Sequence, residues 1–200
     1  MNKTKLTIIY YSQTGVNLSM AKKAAETAEG FGAEVRLRKV KELLDTSNVI
    51  EGSAWEKVLK EEENIELASA DDLVWADAVI LSTPTRFGNV ASQMKAFLDS
   101  LGGVWAEGKL ANKYVTAFTS AQNNNGGQEE TIRALYTTAM HWGSIIVPTG
   151  YTDPSIYKQG GNPYGVSATQ DAQSQNEKTV NDVLDAVEHQ TKRLLTIASK

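Results

Sequence analysis

A short polar loop near the start of the chain has residue types that can bind an anion. It lies between an apolar run at residues 6–11 and a helical pattern that begins near Leu18, and it comprises Ser12, Gln13, Thr14, Gly15, Val16 and Asn17. A strand, a short loop and a helix in this order present backbone N–H groups to an anion at the helix N-terminus. Because the loop has no Lys or Arg, N–H dipoles and hydroxyl groups would hold a phosphate there. The loop differs from the Gly-Lys-Ser/Thr and Gly-x-Gly-x-x-Gly phosphate motifs, and an ordinary βα turn with a capped helix is the alternative interpretation.

Two more polar loops follow apolar runs further along the chain. Residues 83–89 come directly after a run at 78–82, and residues 119–127 come after a run at 114–118. Both runs are typical of strands that are buried on both faces, as in a parallel sheet. Ligands of open α/β sheets bind at the carboxyl ends of the strands, where the strand order reverses. The three loops together therefore predict one binding site at this edge of the sheet.

Predicted strands and helices alternate five times, which indicates the α/β class with a parallel sheet and right-handed crossovers. The strands are predicted at 6–11, 34–38, 78–82, 114–118 and 144–147, the second of them at an edge of the sheet. The main helices are predicted from Leu18 to Gly30, from Val90 to Leu101, at about 129–141 and from Val180 to Ala198, with a short one within 71–77. Gly102 and Gly103 are expected to break the second of these helices before Trp105.

Two segments do not follow this regular alternation. Within residues 40–70, residues 55–60 suit a helix, and the acidic run at 61–63 is expected to be a solvated face. Residues 149–175 are rich in Gly, Ser, Thr, Asn, Gln and Pro. A loop of this length inside a compact domain is either functional or disordered. Both segments are interpreted as insertions within one domain that spans 1–200.

Composition excludes several classes of protein. The chain has 200 residues and a net charge of −4, whereas a nucleic-acid binder needs a basic face. There is no Cys, and the only histidines are His141 and His189, so thiol chemistry, iron–sulfur clusters and a His-rich metal site are excluded and redox chemistry would need an organic cofactor. No apolar run is long enough to insert into a membrane. The N-terminal residues lack the apolar core of a signal peptide, so a cytoplasmic protein is expected.

The motifs of these loops, taken with three others, resemble those of the WrbA-type flavoproteins. These are flavodoxin-like NAD(P)H:quinone oxidoreductases, and the resemblance runs in order over essentially the whole chain. The motifs that carry it are Tyr10-Tyr11-Ser12-Gln13-Thr14-Gly15, Thr83-Pro84-Thr85-Arg86-Phe87-Gly88-Asn89, Gly102-Gly103-Val104-Trp105, Gly126-Gly127-Gln128-Glu129 and Gly160-Gly161-Asn162-Pro163-Tyr164-Gly165. The second and the last of these are the specific ones.

The resemblance implies a fold, a cofactor and an assembly. The fold is a flavodoxin-like, doubly wound, five-stranded parallel sheet with helices on both faces. The cofactor is FMN rather than FAD, and the substrates are NAD(P)H and a quinone. The assembly is a homotetramer whose active sites lie where subunits meet. Two other classes stay open at this point: a flavodoxin-like carrier of single electrons, and a regulatory protein that binds FMN.

The resemblance also implies roles for particular residues. The loop from Ser12 to Asn17 would hold the FMN phosphate, and Pro84, Thr85, Arg86, Phe87, Gly88 and Asn89 would form the edge of the isoalloxazine site. The pyrimidine side of the ring would be covered by Ser120, Ala121, Gln122, Asn123, Asn124 and Gly126. His141 would reach FMN from a neighbouring subunit, and Trp105 would line the quinone pocket. No residue is implied as a nucleophile, a general acid or base, or a metal ligand.

Each of these residues also has an ordinary structural interpretation. Arg86 without the resemblance is a surface charge at a helix start, Trp105 is a packing residue, and His141 is a cation at a helix C-terminus. The chain also departs from the family in three places. Thr14 stands where an aromatic residue often contacts the nicotinamide, Trp142 stands where another His is common, and the third loop is Gln/Asn-rich and one residue longer than usual.

Overall fold

The computed structural model describes residues 3–170 and 181–200 of the chain. The strands are β1 (Lys5–Tyr10), β2 (Glu34–Lys39), β3 (Ala78–Arg86), β4 (Asn89–Val90), β5 (Tyr114–Ala121), β6 (Ile145–Ile146) and β7 (Ser167–Thr169). The helices are α1 (Val16–Phe31), α2 (Ala54–Glu61), α3 (Ala70–Trp75), α4 (Ser92–Asp99), α5 (Gly102–Ala106), α6 (Gln128–His141), α7 (Ser155–Lys158) and α8 (Asn181–Ala198). Val180 and residues 171–175, which belong to the predicted last helix and the long loop, lie outside the described residues.

The sheet confirms the predicted fold class and corrects the predicted number of strands. Its main row runs in the order β2-β1-β3-β5-β6, and the short β4 and β7 pair with β3 and β5, so within residues 3–170 and 181–200 the sheet has 7 strands rather than five. All pairings in the main row are parallel, and β2 is the edge strand that its alternating charges predict. The order reverses between β1 and β3, because β2 lies on one side of β1 and all later strands lie on the other.

The outer edge of β5 is shared by two short strands. Ile145 and Ile146 of β6 pair with the beginning of β5, and β7 pairs with its end at Thr119, Ser120 and Ala121. The predicted strand at 144–147 is therefore longer than the observed β6, and it is not the last strand, because β7 follows it. β7 was not predicted because Ser-Ala-Thr lacks the apolar run of a buried strand. Part of the long loop is thus ordered, and it completes the sheet beside the third polar loop.

Helices cover both faces of the sheet and bury its two sets of alternating side chains. On one face Leu6, Ile8 and Tyr10 of β1 pack in a cluster with α1 and α8. On the other face Ile9 and Leu81 pack in a cluster with α4 and α6. The apolar strands β1 and β3 are therefore buried on both faces of the sheet, as their sequences predict.

Two local predictions are wrong. Gly102 and Gly103 do not break the helix themselves, because α4 already ends at Asp99. The two glycines begin α5, in which Trp105 N donates to Leu101 O at 3.0 Å. Glu62, in the acidic run expected to be solvated, is only 7% exposed. It caps the C-terminus of α2 and lies on the same face as the buried Val58, four residues earlier.

Candidate functional site

The three predicted loops meet around one cavity at the carboxyl ends of β1, β3 and β5. We call residues 12–17 the first loop, 83–89 the second loop and 119–127 the third loop. β3 continues to Arg86 and β5 to Ala121, so both strands end later than the predicted 82 and 118 and include the first residues of the second and third loops. The cavity has a volume of about 460 Å³ and is lined by Ser12, Gln13, Thr14, Val16, Asn17, Pro84, Thr85, Arg86, Phe87, Ser120, Ala121, Gln122, Asn123, Gly126 and Gln170. It lies at the switch point of the strand order, where α/β sheets bind ligands.

The first loop turns sharply so that the N-terminus of α1 faces the cavity. Gly15 adopts φ +95°, a conformation that favours glycine, and its N–H donates to Ser12 Oγ at 3.1 Å. No described side chain caps the first turn of α1. The first N–H groups of this 16-residue helix are therefore available to an anion.

A buried amide joins the first and third loops through β3. Asn17 is 1% exposed, its Nδ2 donates to Ser82 Oγ at 3.0 Å, and its Oδ1 accepts from Ser120 Oγ at 2.5 Å. Both ends of the Asn17 side chain are satisfied, so its position is fixed. The arrangement holds the first turn of α1 at a set distance from the third loop.

The second and third loops are in direct backbone contact. Gly127 has φ +90°, and a Cβ atom there would lie 2.5 Å from the Cα of Gly88. Nearby, Thr85 Oγ1 donates to Gly126 O at 3.3 Å and accepts from Thr131 Oγ1 at 2.7 Å. Only glycine at 127 permits this approach. The two loops therefore form one continuous wall of the cavity.

One cation borders the cavity. Arg86 is the only Lys, Arg or His among the described lining residues, and no Asp or Glu lines the cavity with it. Its Nη2 donates to Gln13 Oε1 at 2.8 Å, which connects the second loop to the first. Phe87, beside it, has φ +51° and is fully exposed. The cavity therefore carries positive potential at one rim and an exposed aromatic ring next to it.

The phenol behind the first loop is held in its neutral form. Burial, followed by the hydrogen bond to Glu42, raises the pKa of Tyr11. Tyr11 Oη donates to Glu42 Oε2 at 2.9 Å and accepts from Gln93 Nε2 at 2.9 Å. This network fixes the chain just before Ser12 and connects it to α4.

The remaining predicted residues do not line the cavity within one chain. Gly15 and Gly88 shape the loops through their backbones, as described above, and Asn89 caps the N–H of Val90. Asn124 instead lines a neighbouring polar cavity of about 660 Å³ beside the N-terminus of α6.

Trp105 and His141 form a pair on the surface, away from the cavity. Trp105 is 52% exposed, and its Nε1 donates to the backbone oxygen of His141 at 3.1 Å. His141 ends α6 and is also exposed. The prediction that they act at a flavin site stays a prediction.

One lining residue was missed in the sequence. Gln170 follows β7, and its backbone N–H donates to Ala121 O at 2.8 Å. The segment before it has no apolar pattern, so nothing in the sequence places Gln170 beside the third loop. No helix in the described residues has both the length and the hydrophobicity of a membrane span, and no group of three or more acidic or His side chains there is arranged to hold a metal ion.

The fold and the position of the cavity define a flavodoxin-like α/β protein. Two solved structures share the fold over nearly the whole chain. A WrbA-like flavodoxin from Agrobacterium tumefaciens is 23% identical with a TM-score of 0.66, and 98% of each chain is covered. A flavodoxin from the domain Archaea is 14% identical with a TM-score of 0.62, covering 98% of this chain and 100% of its own.

Sequence comparison then gives the family. The family model for NADPH-dependent FMN reductase matches residues 4–154. A protein of Deinococcus radiodurans, named NAD(P)H dehydrogenase (quinone), is 49% identical over 98% of this chain and 96% of its own length. One of Geotalea daltonii with the same name is 38% identical over 98% and 97%. The chain belongs to the NADPH-dependent FMN reductase family.

Proposed function

We propose that this protein is an FMN-dependent NAD(P)H:quinone oxidoreductase that reduces quinones by two electrons at a time. The observation that carries the proposal is the cavity at the switch point, where three loops meet in front of an uncapped helix N-terminus. The names of the relatives from Deinococcus radiodurans and Geotalea daltonii support the same activity.

The residues of the cavity fit FMN. The phosphate would lie in the first loop, against the N-terminal N–H groups of α1 and the hydroxyls of Ser12 and Thr14, with no Asp or Glu among the described residues that line the cavity. The second and third loops, joined through Gly88 and Gly127, would form the flat wall against one face of the ring. The lack of a basic residue in the first loop fits a site in which helix dipoles neutralise the phosphate.

The bound cofactor would supply the hydride chemistry, and the protein would supply position and electrostatics. Arg86 would place a fixed positive charge near the pyrimidine oxygens of the flavin, where it favours an anionic reduced ring. No side chain needs to act as a nucleophile. The chain's own contribution is to orient the ring, to exclude water from one face and to leave the other face open to substrates.

NAD(P)H and the quinone would use one slot in turn. Both are flat, and each must come within about 3–3.5 Å of the flavin to react. One slot of that height cannot hold both rings stacked, so reduction and reoxidation would alternate. Trp105 would bound the open side of this slot in the assembled protein.

A homotetramer completes the proposal. Trp105 and His141 lie outside the cavity of their own chain, so a role at the flavin requires a neighbouring subunit to bring them there. Large apolar side chains are exposed on the surface, among them the stacked Tyr151 and Tyr157, whose ring centroids are 5.4 Å apart. Exposed apolar patches of this kind mark interaction surfaces. The protein would act as a single domain in the cytoplasm.

A flavin titration followed by an activity assay tests the proposed function. We expect the purified protein to shift the absorption spectrum of added FMN and then to oxidise NADH or NADPH when a small quinone is present. Bound FMN without quinone-dependent turnover would instead indicate an electron carrier or a regulatory protein. No bound FMN at all would overturn the proposal.

A further inference from the structure

Glu62 is a buried acid directly behind the first loop. It is 7% exposed and follows the last residue of α2. This helix packs against the first loop, because Val58 Cγ2 lies 3.6 Å from the position that a Cβ atom on Gly15 would occupy. A carboxyl group at this point is both desolvated and close to the negative end of a helix dipole, and both effects disfavour its charge.

Glu62 and the first loop border a second, smaller cavity. This cavity has a volume of about 70 Å³, and its polar lining includes Ser12, Lys39, Trp55 and Glu62. Ser12 also lines the main cavity, so the cavity that Glu62 borders and the site of the proposed phosphate share this residue. Because Glu62 and Ser12 are both buried, a charge on Glu62 acts on the first loop with less screening than it would have in water.

Three buried polar atoms around Glu62 have no hydrogen-bond partner among the described residues. They are Tyr10 Oη, Trp55 Nε1 and Glu62 Oε1. Buried polar atoms without a protein partner are commonly satisfied by an internal water, and the small cavity has room for at least one. A water in this cavity would give the carboxyl group of Glu62 a route for exchanging its proton.

The charged and titratable groups that face Glu62 come from every element packed against it. Lys39 Nζ donates to the backbone oxygen of Glu62 at 2.6 Å and lowers the pKa of its carboxyl group. Tyr10, which faces it from β1, also lowers this pKa, whereas Glu61 and Glu42 raise it. Burial has the largest effect and raises the pKa of Glu62 to about 7. Both forms of the carboxyl group are therefore populated near neutral pH.

We propose that Glu62 is a positioning residue that controls how tightly the first loop holds the phosphate of FMN: the neutral carboxyl group permits tight binding, and the charged one weakens it. This inference rests on the proposed function, because it requires the phosphate of FMN to lie in the first loop. The physical reason is repulsion between a carboxylate and a phosphate dianion across Ser12. Binding of FMN would in turn favour uptake of a proton by Glu62.

The test is the dissociation constant of FMN between about pH 6.5 and about pH 8.5, above the second phosphate pKa of about 6. For the wild-type chain we expect the constant to rise roughly three- to tenfold over this range. Glu62→Gln, which keeps the shape and removes the charge, should make the profile flat. Glu63→Gln is the matched control, because Glu63 is exposed, follows Glu62 directly in the chain and does not line the small cavity. It should keep the wild-type rise.

Measuring the binding of riboflavin to the wild-type chain is a second test, which needs no variant. Riboflavin has the same ring without the phosphate, so its dissociation constant should not change with pH over the same range. Equal slopes for FMN and riboflavin, or a flat FMN profile in the wild-type chain, would overturn the inference even if Glu62→Gln failed to fold. So would a folded Glu62→Gln with the wild-type slope. In each of these cases FMN is still bound; a wild-type chain that binds no FMN refutes the proposed function instead.

Discussion

The guanidinium group of Arg86 and the side-chain amide of Gln13 form a hydrogen bond across the mouth of the main cavity, with Nη2 2.8 Å from Oε1. The two residues belong to different loops, both line the cavity, and their hydrogen bond connects the two loops. Arg86 itself is exposed, so the bond holds in place a side chain that would otherwise be free to swing into solvent.

Removing this cation should weaken binding of FMN. We expect Arg86→Ala to raise the dissociation constant about tenfold, because it removes the one positive side chain among the described residues that line the cavity. Gln13→Ala should raise it about threefold by releasing Arg86. Fluorescence titration with FMN measures both. Arg133→Ala is the control, since Arg133 is an exposed Arg on α6 that pairs with Glu130 and does not line the main cavity. Equal affinities for Arg86→Ala and Arg133→Ala would contradict the role of Arg86.

A negative charge in the first loop should be far more harmful than a change of shape. Thr14→Asp would place a carboxylate among N–H donors that face the phosphate, and we expect it to weaken FMN binding by about a hundredfold. Thr14→Asn has the same shape without the charge and should stay within about threefold of the wild type. Fluorescence titration of both variants measures the effect. An unchanged affinity in Thr14→Asp would place the phosphate somewhere else.

Contact between the second and third loops should contribute to stability as well as to the site. Gly127→Ala would force a side chain into a left-handed conformation and against Gly88, and we expect a loss of about 2 kcal/mol or more in the free energy of unfolding. Gly30→Ala is a matched substitution in α1, where a Cβ atom would meet nothing within 4 Å. It should be neutral or stabilising by up to about 1 kcal/mol. Urea denaturation of both variants without FMN gives the comparison.

Use of one slot by both substrates should appear in the kinetics. Initial rates over a grid of NADH and benzoquinone concentrations should give parallel double-reciprocal lines, because the first product must leave before the quinone binds. Trp105→Ala should lower quinone turnover more than it lowers FMN affinity. Intersecting lines would show a complex of the enzyme with both substrates and would exclude a single slot.

Glu62 should also make the stability of the FMN-free protein depend on pH. Its pKa is raised from 4.5 to about 7 on folding, so the folded chain binds more protons than the unfolded one between these values. Stability from this residue is therefore present at low pH and is lost as pH rises through that window. We expect wild type to lose on the order of 2 kcal/mol relative to Glu62→Gln between about pH 5 and about pH 8. Parallel stability profiles for the two chains would show that Glu62 is not buried as described.

The pattern of apolar runs followed by polar loops predicts most of the cavity. The apolar runs before Ser12 and Thr83 and the run before the third loop are buried on both faces, and they deliver the three loops to one edge of the sheet. Such runs have few alternative structures, because each must be covered on both sides. The fold class and the meeting of the loops follow from that constraint.

What was missed depends on contacts between distant parts of the chain. β7 and Gln170 have no apolar signal of their own and are placed by pairing with β5. Glu62 was hidden in a charged run, although its spacing of four residues from Val58 puts both on one face of α2. In a helix, residues four apart share a face, so the buried position of Val58 indicates that Glu62 is the buried residue of the acidic run at 61–63.

The pairing of β7 with the end of β5 has a consequence for the order in which the site is made. A chain emerging from the ribosome exposes all three loops by the time α6 has left the exit tunnel, yet the outer edge of β5 beside Ser120 stays open until β7 is synthesised. We therefore expect the nascent chain to bind flavin tightly only after β7 has been synthesised, so that flavin binds to the completed sheet and does not guide its early folding.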